Sequence, residues 1–366
     1  MISKKSHKPD YFLMSLVFIL TVAGLVILAS ASSELGKIKF NDSYYFLKHQ
    51  VLFGLLFGLA GFIAAYFMPY KNYRPISFAL LILSIILLAL VFTKFGVVAG
   101  GASRWIKLGP IVFQPAELLK LTFILYLAAW LSNPKMNRGE DFWAGFMPFV
   151  LISGFIATLL LLQPATSTVM ILMGSGMAMY FISGAKMTHI LIVIAAGIAA
   201  LGLVIWATPY RLQRIMTFVN PHSDTGGAAY QINQSLNAIG SGGLFGVGYG
   251  RSTSKSSYLP DPINDSIFAV AAEEMGFIGA GVIVILFGLL VFKIFRLAKN
   301  LRDKFGQLIL VGFGSLVALQ SIVNMGALSG LLPLTGVPLP FVSYGGTALA
   351  VLLTLSGIAV NISRHA

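Results

Sequence analysis

The sequence predicts an all-α, polytopic integral membrane protein with about ten transmembrane helices and one long extracytoplasmic loop. Of its 366 residues, 57% are hydrophobic and only 10% are charged, so there are too few polar side chains to cover a soluble domain. Apolar runs recur along the whole chain, and about 17 to 25 such residues cross a hydrocarbon core of about 30 Å. We therefore expect a single transmembrane domain over residues 1–366.

Ten apolar runs predict the membrane spans. The first run follows the basic residues Lys4, Lys5 and Lys8, as in a signal peptide, but it is long and its small residues come only at its end. We expect it to be retained as the first helix. The predicted spans are residues 11–31, 51–68, 76–92, 118–131, 146–162, 168–182, 190–207, 267–292, 308–325 and 347–362.

The distribution of Lys and Arg predicts which side each loop faces. An even number of spans places both termini on one side; if that side is cytoplasmic, the inner segments carry about fourteen cations and the outer segments about ten. This bias favours cytoplasmic termini and accounts for much of the net charge of +13 without a nucleic-acid partner. The cations in the outer segments are exceptions to the positive-inside rule, by which Lys and Arg are enriched in cytoplasmic loops. Most of them lie in the two longest outer loops, which suggests an anionic ligand there.

The segment 208–264, between the seventh and eighth spans, is too long to be a mere connection. It contains a helix-like stretch over residues 229–239, followed by the glycine-rich sequence GSGGLFGVGYG. No strand precedes these glycines and no Rossmann spacing follows them, so a nucleotide-binding loop is disfavoured. Flexible or re-entrant packing is the better interpretation.

The absence of cysteine excludes a disulfide framework and a thiolate metal site, and the five histidines lack ligand spacing. Candidates for acid or base chemistry are therefore sought among the twelve carboxylates. Glu117 lies in a span with Lys120 three residues later, on the same helix face, so the two charges can neutralise each other within the bilayer. The pair is either purely structural or also shapes a substrate cavity.

Asp265 lies where the long loop becomes the eighth span, and its position has two interpretations. A carboxylate at the start of a helix is an ordinary N-cap. The same carboxylate also lies at the outer interface, beside a loop that carries Arg211 and Arg214, where it could act as a general base.

Glu273 and Glu274 are adjacent in the eighth span and must point to different sides of a helix. Glu273 follows Asp265 by eight residues, a little over two helical turns, whereas Glu274 is rotated by about a further 100°. The periodicity therefore favours Glu273 as a possible second acid in a cavity shared with Asp265.

Three segments together resemble the SEDS family (shape, elongation, division and sporulation), membrane glycosyltransferases that polymerise lipid II into peptidoglycan. They are GGASRWIKLGPIVFQPAELLKL, QSLNAIGSGGLFGVGYGRSTSKSSYLPDPINDSIFAVAAEEMGFIGA and GLLPLTGVPLPFVSYGGTALAVLLTLSGIAVNISRH. The resemblance extends over nearly the whole chain, and the motifs are highly specific in combination. PYRLQRIMTFVNP and GVGYGRSTSKSSYLP resemble the cell-division (FtsW) members more than the elongation (RodA) members.

The resemblance implies roles for particular residues. Asp265 matches the essential carboxylate of the family, and Glu117 and Lys120 match its intramembrane pair. The implied substrate-binding residues come from the SRW and SYGG motifs and from the outer cations; they are Arg104, Trp105, Lys107, Arg211, Arg214, Ser343 and Tyr344.

Two departures from the family pattern leave open whether this chain is a specialised member. Ala165 replaces an acid in a motif that is commonly QPDLGT, and Ile263 and Asn264 stand where members often have His-Thr. Neither departure removes Asp265.

The implied reaction is attack by the 4-hydroxyl of a GlcNAc on the anomeric carbon of a MurNAc carried by undecaprenyl pyrophosphate. Asp265 would be the base. Arg104, Arg211, Arg214 or a divalent cation such as Mg²⁺ would stabilise the leaving pyrophosphate. An enzyme of this type inverts the anomeric configuration in a single displacement, without an enzyme-bound sugar.

The resemblance also implies partners and a location. The partners are lipid II, the nascent glycan strand, membrane lipids, an FtsI-like class B penicillin-binding protein and other divisome membrane proteins, and the location is the bacterial cytoplasmic membrane at the septum. Three alternatives stay open at this point: an elongation-type polymerase, a flippase or transporter of lipid II, and a non-catalytic scaffold that recruits a transpeptidase.

Overall fold

The computed structural model describes residues 8–99, 102–109, 111–133, 138–219, 227–257 and 259–365. Each of the ten predicted spans corresponds to a helix, and the long loop contributes three more. The helices are α1 (Tyr11–Phe40), α2 (Tyr45–Gln50), α3 (Leu56–Phe67), α4 (Tyr73–Leu90), α5 (Pro115–Leu131), α6 (Met147–Leu162), α7 (Thr166–Ile182), α8 (Met187–Trp206), α9 (Pro209–Val219), α10 (Gly227–Ser241), α11 (Ser254–Ser257), α12 (Ile267–Asn300), α13 (Lys304–Leu328) and α14 (Gly346–Ser363).

Eight of the described helical segments are long and apolar enough to cross a membrane. Short π-helical or 3₁₀ turns join α2 to α3 and extend the starts of α4 and α6. The eight segments are Tyr11–Phe40, Tyr45–Phe67, Tyr70–Leu90, Phe142–Leu162, Met187–Trp206, Ile267–Asn300, Lys304–Leu328 and Gly346–Ser363. The predicted class, an all-α polytopic membrane protein, is confirmed.

The other two predicted spans, α5 and α7, are helices of 17 residues each. At a rise of 1.5 Å per residue, each is about 25 Å long, a little less than a typical hydrocarbon core. Both pack against α13, and most residues of α5 and α13 are buried. These short helices therefore form the centre of the bundle, whereas α8 buries only His189 and Ile190 and lies at its edge.

A small antiparallel sheet, β1 (Gly96–Ala99), β2 (Ala102–Leu108) and β3 (Ile111–Phe113), connects α4 to α5. The helical periodicity of the spans did not predict it. Val97 pairs with Trp105 and Val98 with Ser103, so Arg104 is the extra residue of a β-bulge. A bulge of this kind changes the direction in which a side chain points.

Helix α12 is interrupted at Gly276, whose φ of 66° and ψ of −169° are not helical. The break deprives the carbonyls of Glu273 and Glu274 of their normal helical donors. The amides of Val247 and Gly248, from the glycine-rich segment, donate to these two carbonyls at 3.0 and 3.1 Å. The inserted segment thus satisfies backbone groups that hydrocarbon would leave without partners.

The glycine-rich segment also accepts hydrogen bonds from α12, and its backbone lies very close to that helix. This close approach explains why the segment is rich in glycine. The amide of Phe277 donates to the carbonyl of Gly243 at 2.8 Å. A Cβ on Gly246 would lie 2.1 Å from the carbonyl oxygen of Glu274, and the φ of Gly246 is +83°. Only glycine fits both conditions. The structure supports the re-entrant interpretation of this loop, and the predicted helix at 229–239 is confirmed as α10.

Candidate active site

Asp265 lies in the turn just before α12, at the end of the long loop. The N-cap of α12 is Ser266, which makes no side-chain capping hydrogen bond; its hydroxyl instead accepts from the side-chain amide of Gln231 at 3.1 Å. The interpretation of Asp265 as an ordinary N-cap is therefore wrong. The carboxylate precedes the cap and is free to point elsewhere.

Hydrogen bonds from neighbouring elements fix the backbone on both sides of Asp265. The side-chain amide of Asn324, in α13, donates to the Asp265 carbonyl at 2.7 Å. The Ser343 hydroxyl donates to the carbonyl of Asn264 at 2.5 Å, and the Tyr344 amide donates to that of Ile263 at 2.9 Å. Because Ile263 and Asn264 take part through their carbonyls, the departure from the family pattern at these positions leaves the backbone frame intact.

The Asp265 carboxylate is poorly solvated. Its Oδ1 is buried and has no hydrogen-bond partner among the described residues. Burial, and then the charge of Asp261, raise the pKa of Asp265 to about 6, while hydrogen bonds from its own backbone amide and the Gln231 side chain, and then the charge of Arg214, act in the opposite direction. A carboxylate of this kind is more basic than an ordinary aspartate and is suited to accept a proton near neutral pH.

Arg214 lies near this carboxylate, and Arg104 lies within electrostatic range of both Arg214 and Arg211. Burial lowers the pKa of Arg104, and the charges of Arg214 and Arg211 lower it further, whereas Tyr210 acts in the opposite direction. Oδ2 of Asp265 and a terminal nitrogen of Arg214 both lie within 4 Å of the position that a Cβ of Gly336 would occupy. The structure therefore places Arg214 close to the predicted base, and Arg104 and Arg211 close to Arg214 or to each other.

Helix α9 presents Arg211 and Arg214 together because residues three apart share a helix face. Arg214 donates to the Tyr210 hydroxyl and to the Leu334 carbonyl, the latter at 3.2 Å, and its guanidinium lies 4.6 Å from the centre of the Tyr210 ring. Its Nε is buried without a partner among the described residues. Arg211 donates to the Thr208 hydroxyl at 3.0 Å. Both side chains are thereby oriented, and each keeps donors that no described residue uses.

Arg104 connects two parts of the structure through hydrogen bonds, in addition to contributing a positive charge. Its Nε donates to the carbonyl of Gln163 at 3.0 Å, and a terminal nitrogen donates to the carbonyl of Pro164. These carbonyls lie at the end of α6, next to Ala165, which is buried at the start of α7. The bulge in β2 directs Arg104 toward this corner, so its guanidinium joins the sheet to the bundle.

Four of the predicted substrate-binding residues lie elsewhere or are otherwise engaged. Lys107 is exposed on β2, and Trp105 is half-buried beside β1. The Ser343 hydroxyl, besides donating to Asn264, accepts from the Leu339 amide at 2.7 Å. The Tyr344 hydroxyl pairs with Nδ1 of His49 at 2.9 Å. Ser343 and Tyr344 therefore position the chain around Asp265. Both of their hydroxyls already hydrogen-bond to other described residues.

The structure contains the ion pair indicated by the spacing of Glu117 and Lys120, with Nζ 2.8 Å from Oε1 and both side chains buried. Lys120 also lies 3.4 Å from the side-chain oxygen of Gln320, whose amide donates to the Pro338 carbonyl at 2.8 Å. Asn324 donates to the neighbouring Val337 carbonyl at 2.6 Å. The pair is thus connected to the segment that lines the cavity beside Asp265.

Glu273 does not share a cavity with Asp265, so that prediction is wrong. Its carboxylate accepts hydrogen bonds from the Ser252 hydroxyl at 2.5 Å and from the Thr253 amide at 3.1 Å. Glu274 binds Lys255 at 2.7 Å, which leaves this outer lysine buried and unavailable to a ligand. Both acids anchor the long loop to the broken helix.

Sequence reasoning missed Asn324 and Thr335, which line a small cavity together with Asp265. Asn324 Oδ1 and Thr335 Oγ1, like Asp265 Oδ1, are buried and have no hydrogen-bond partner among the described residues. A polar amide within an apolar span is itself a signal of function, and it could have identified Asn324. Three residues that line one cavity thus each have a buried oxygen without a partner, and side-chain oxygens are the ligands that a hard cation prefers.

A half-buried carboxylate with a raised pKa, close to Arg214 and at one end of a polytopic bundle, defines a membrane protein equipped to handle an anionic substrate at the membrane surface. The chain belongs to the FtsW/RodA/SpoVE family of cell cycle proteins, whose profile matches residues 11–366. This is the family whose motifs the sequence contains.

Relatives and solved structures agree with this assignment. The chain is 37% identical to stage V sporulation protein E of Bacillus subtilis, covering 99% of this chain and 98% of that one. It is also 37% identical to a probable peptidoglycan glycosyltransferase FtsW of a Geobacter species, with 97% of each covered.

Two solved structures share the fold over nearly the full length. One is a chain from the structure named "Structural coordination of polymerization and crosslinking by a peptidoglycan synthase complex". It has a TM-score of 0.80 and 28% identity, and the match covers 97% of this chain and 98% of that one. The other is the crystal structure of the Thermus thermophilus rod shape determining protein RodA, with a TM-score of 0.72, 29% identity and 97% of each chain covered.

Proposed function

We propose that this chain is a peptidoglycan glycosyltransferase that polymerises lipid II into glycan strands at the outer face of the cytoplasmic membrane during cell division. The observation that carries the proposal is the Asp265 carboxylate, whose Oδ1 is buried and whose pKa is raised to about 6, with Arg214 nearby. Relatives named FtsW peptidoglycan glycosyltransferase support the assigned reaction.

Asp265 removes the proton from the 4-hydroxyl of the acceptor GlcNAc as this oxygen attacks the anomeric carbon of the donor MurNAc. The new bond joins that oxygen to the anomeric carbon, and the bond from this carbon to the pyrophosphate oxygen breaks. The proton stays on the Asp265 carboxylate, and undecaprenyl pyrophosphate leaves with the bonding electrons. One base and a single displacement invert the configuration at the sugar.

The arginine cluster stabilises the leaving group. Pyrophosphate carries negative charge before and after bond cleavage, and a planar guanidinium can bind two of its oxygens at once. Arg214 is the best placed of the three because it lies near both Asp265 and the Gly336 segment. Arg211 and Arg104 add positive charge nearby, since the charges of Arg214 and Arg211 both act on Arg104.

A divalent cation such as Mg²⁺ fits the donor set formed by Asp265, Asn324 and Thr335. When bound there, it would supply additional positive charge for the leaving pyrophosphate. Asn324 would hold such an ion with the same side chain whose amide nitrogen fixes the Asp265 backbone. A chelator is then expected to slow polymerisation, and added Mg²⁺ to restore it.

The division-specific role and the partners are part of the proposal. We infer cytoplasmic termini from the bias of Lys and Arg, and an FtsI-like class B penicillin-binding protein as the partner that cross-links the product. The solved complex that joins polymerization to crosslinking supports this pairing. A septal location follows from the division role.

The experiment that tests the proposal is incubation of the purified chain with labelled lipid II, with and without a class B penicillin-binding protein. We expect glycan chains of many disaccharides to form. Unchanged lipid II under both conditions would contradict the assigned reaction and favour a scaffold.

Replacing Arg104 with lysine is expected to weaken apparent affinity for lipid II about tenfold or more, although the charge is kept. Lysine cannot make the two directed hydrogen bonds to the carbonyls of Gln163 and Pro164 while also facing a phosphate. The measurement is the KM for lipid II in the polymerisation assay.

The matched control is Lys107→Gln, because Lys107 lies in the same strand and is exposed. We expect this variant to stay within about threefold of the parent, since one exposed charge contributes little. If Arg104→Lys binds lipid II like the parent, or if Lys107→Gln is the more impaired, Arg104 has no role in the anion site.

In buffer without a divalent cation, the rate of polymerisation is expected to rise with pH through about 6 and then to level off; a cation bound to Asp265 would lower the pKa of this carboxylate and move the rise to lower pH. The base works only when deprotonated, and burial raises the pKa of Asp265 to about 6. Replacing Asp261 with asparagine removes one of the charges that raise this pKa, so the rising limb should move to lower pH. A rate that stays flat between about pH 5 and pH 7, in protein that remains folded, would exclude Asp265 as the titrating base.

A further inference from the structure

A cavity of about 600 Å³ shares no lining residue with the small cavity beside Asp265. It is formed where the start of α1, the end of α12 and the end of α14 meet. Charged residues from these elements line it, namely Lys8, Asp10, Lys293 and Arg296. Nothing in the proposed reaction uses this cavity.

The hydrogen bonds within the cavity leave two positive charges without a partner. Lys293 pairs with Asp10 at 2.6 Å, and Asp10 is further fixed because it caps α1 and its amide donates to the Ser363 hydroxyl at 3.0 Å. Within the described part of the chain, Lys8 and Arg296 make no ion pair. The cavity therefore carries a net charge of about +2 and is matched to an anionic ligand.

Apolar surface continues from the cavity along two neighbouring helices. α1 and α12 pack along each other, with the Asp10–Lys293 pair at one end and the Ser30–Glu274 hydrogen bond of 2.6 Å at the other. Each helix has a stripe of exposed apolar side chains at helical spacing. The stripes are Ile19, Val22 and Val26 on α1, and Ile278, Val282, Ile285, Leu289 and Phe292 on α12.

The rim of the cavity has the composition of a membrane interface. Tyr11 and Phe12 begin the first apolar span and are 59% and 51% exposed. Aromatic side chains at such positions lie at the level of lipid headgroups. The charged cavity is thus at headgroup depth, and the apolar stripes extend from it toward the middle of the bilayer.

We propose that this cavity binds the phosphate headgroup of an anionic glycerophospholipid, whose acyl chains lie along the exposed stripes of α1 and α12. Lys8 and Arg296 contact the phosphate, and the Asp10–Lys293 pair holds the wall of the cavity in place. A soluble phosphate would use the charges but not the stripes. A basic pocket between membrane helices, at headgroup depth, is the recognised form of such a lipid site.

The test is native mass spectrometry of the full-length protein, purified in a neutral detergent and titrated with phosphatidylglycerol or phosphatidylcholine. The test variant is Lys8→Gln with Arg296→Gln. Its matched control is Lys299→Gln with Arg302→Gln, which removes two exposed charges from the same face but outside the cavity. All four side chains are exposed, so both proteins should fold.

We expect the test variant to bind the first phosphatidylglycerol about 30-fold more weakly than the parent, from two charges at their usual contribution beside an anionic lipid. The control should stay within about threefold, and phosphatidylcholine should bind weakly to all three proteins. Equal loss in the control would show a diffuse surface charge and overturn the proposal. Glycerol phosphate that competes as well as the lipid would also overturn it, because the acyl stripes would then contribute nothing.

Discussion

Replacing Asp265 with asparagine is expected to lower glycan polymerisation by a factor of about 10² to 10⁴, the usual contribution of general acid-base catalysis. Asparagine has nearly the same shape but cannot accept the proton of the acceptor hydroxyl. The backbone frame around residue 265 uses only its carbonyl, which the substitution keeps. The loss should therefore appear in kcat rather than in the KM for lipid II.

Stability should respond differently from activity in this variant. Burial raises the pKa of Asp265, so the folded protein binds a proton more tightly than the unfolded chain does. As pH rises from about 4 to about 6, the carboxylate loses its proton more readily in the unfolded chain than in the folded protein. The free energy of unfolding therefore falls over this range. At pH 7, Asp265→Asn removes this buried charge, and we expect a melting temperature equal to or above that of the parent.

Asp261→Asn is the matched control, because Asp261 is an exposed acid four residues earlier. Its φ of 46° lies in the left-handed region, which asparagine also tolerates. The control should retain polymerisation at pH 7 within about threefold. Near-parent activity in Asp265→Asn would contradict the catalytic assignment, whereas loss of both activity and melting temperature would give Asp265 a structural role instead.

The second large effect is expected at the buried pair. Replacing Lys120 with alanine should lower the free energy of unfolding by about 3 to 5 kcal/mol, because it leaves Glu117 without its counter-ion inside the bundle. Gln320 also loses a contact, and with it the connection to the Pro338 segment beside the active site. Thermal unfolding in detergent and the folded yield measure this effect.

Two further variants separate the ion pair from a general loss of packing. The double substitution Glu117→Gln with Lys120→Met removes both charges at similar volume and should recover most of the yield. Lys48→Ala breaks the exposed pair with Asp42 and should change stability by less than about 1 kcal/mol. If Lys120→Ala melts like the parent, the buried pair does not stabilise the bundle.

The spans were predictable because apolar length is a direct consequence of the bilayer. All ten runs correspond to helices, although α5 and α7 are shorter than the others. The sheet around Arg104 and the break at Gly276 were not predictable from hydropathy. Both depend on which loop segment packs against which helix. At the break, for example, the amides of Val247 and Gly248 donate to the carbonyls of Glu273 and Glu274 in place of helical donors.

The site was predicted in part. Asp265 and Arg214 lie close together, and Arg104 lies within electrostatic range of Arg214 and Arg211, as the outer cations suggested. The link from Asp265 to Glu273 failed because Asp265 lies outside α12, so the helical angle between them does not apply. Ser343 and Tyr344 hold the chain near Asp265, and the sequence could not distinguish this positioning role from contact with substrate.

The central claim is that the carboxylate of Asp265 catalyses the polymerisation of lipid II. The most direct test places the parent and Asp265→Asn in proteoliposomes that contain labelled lipid II, and measures glycan chains and headgroup translocation in the same samples. We expect glycan chains from the parent and about 10² to 10⁴ times less product from the variant, with any translocation equal in the two. Headgroup translocation without glycan chains in the parent would contradict the account and identify a lipid II transporter.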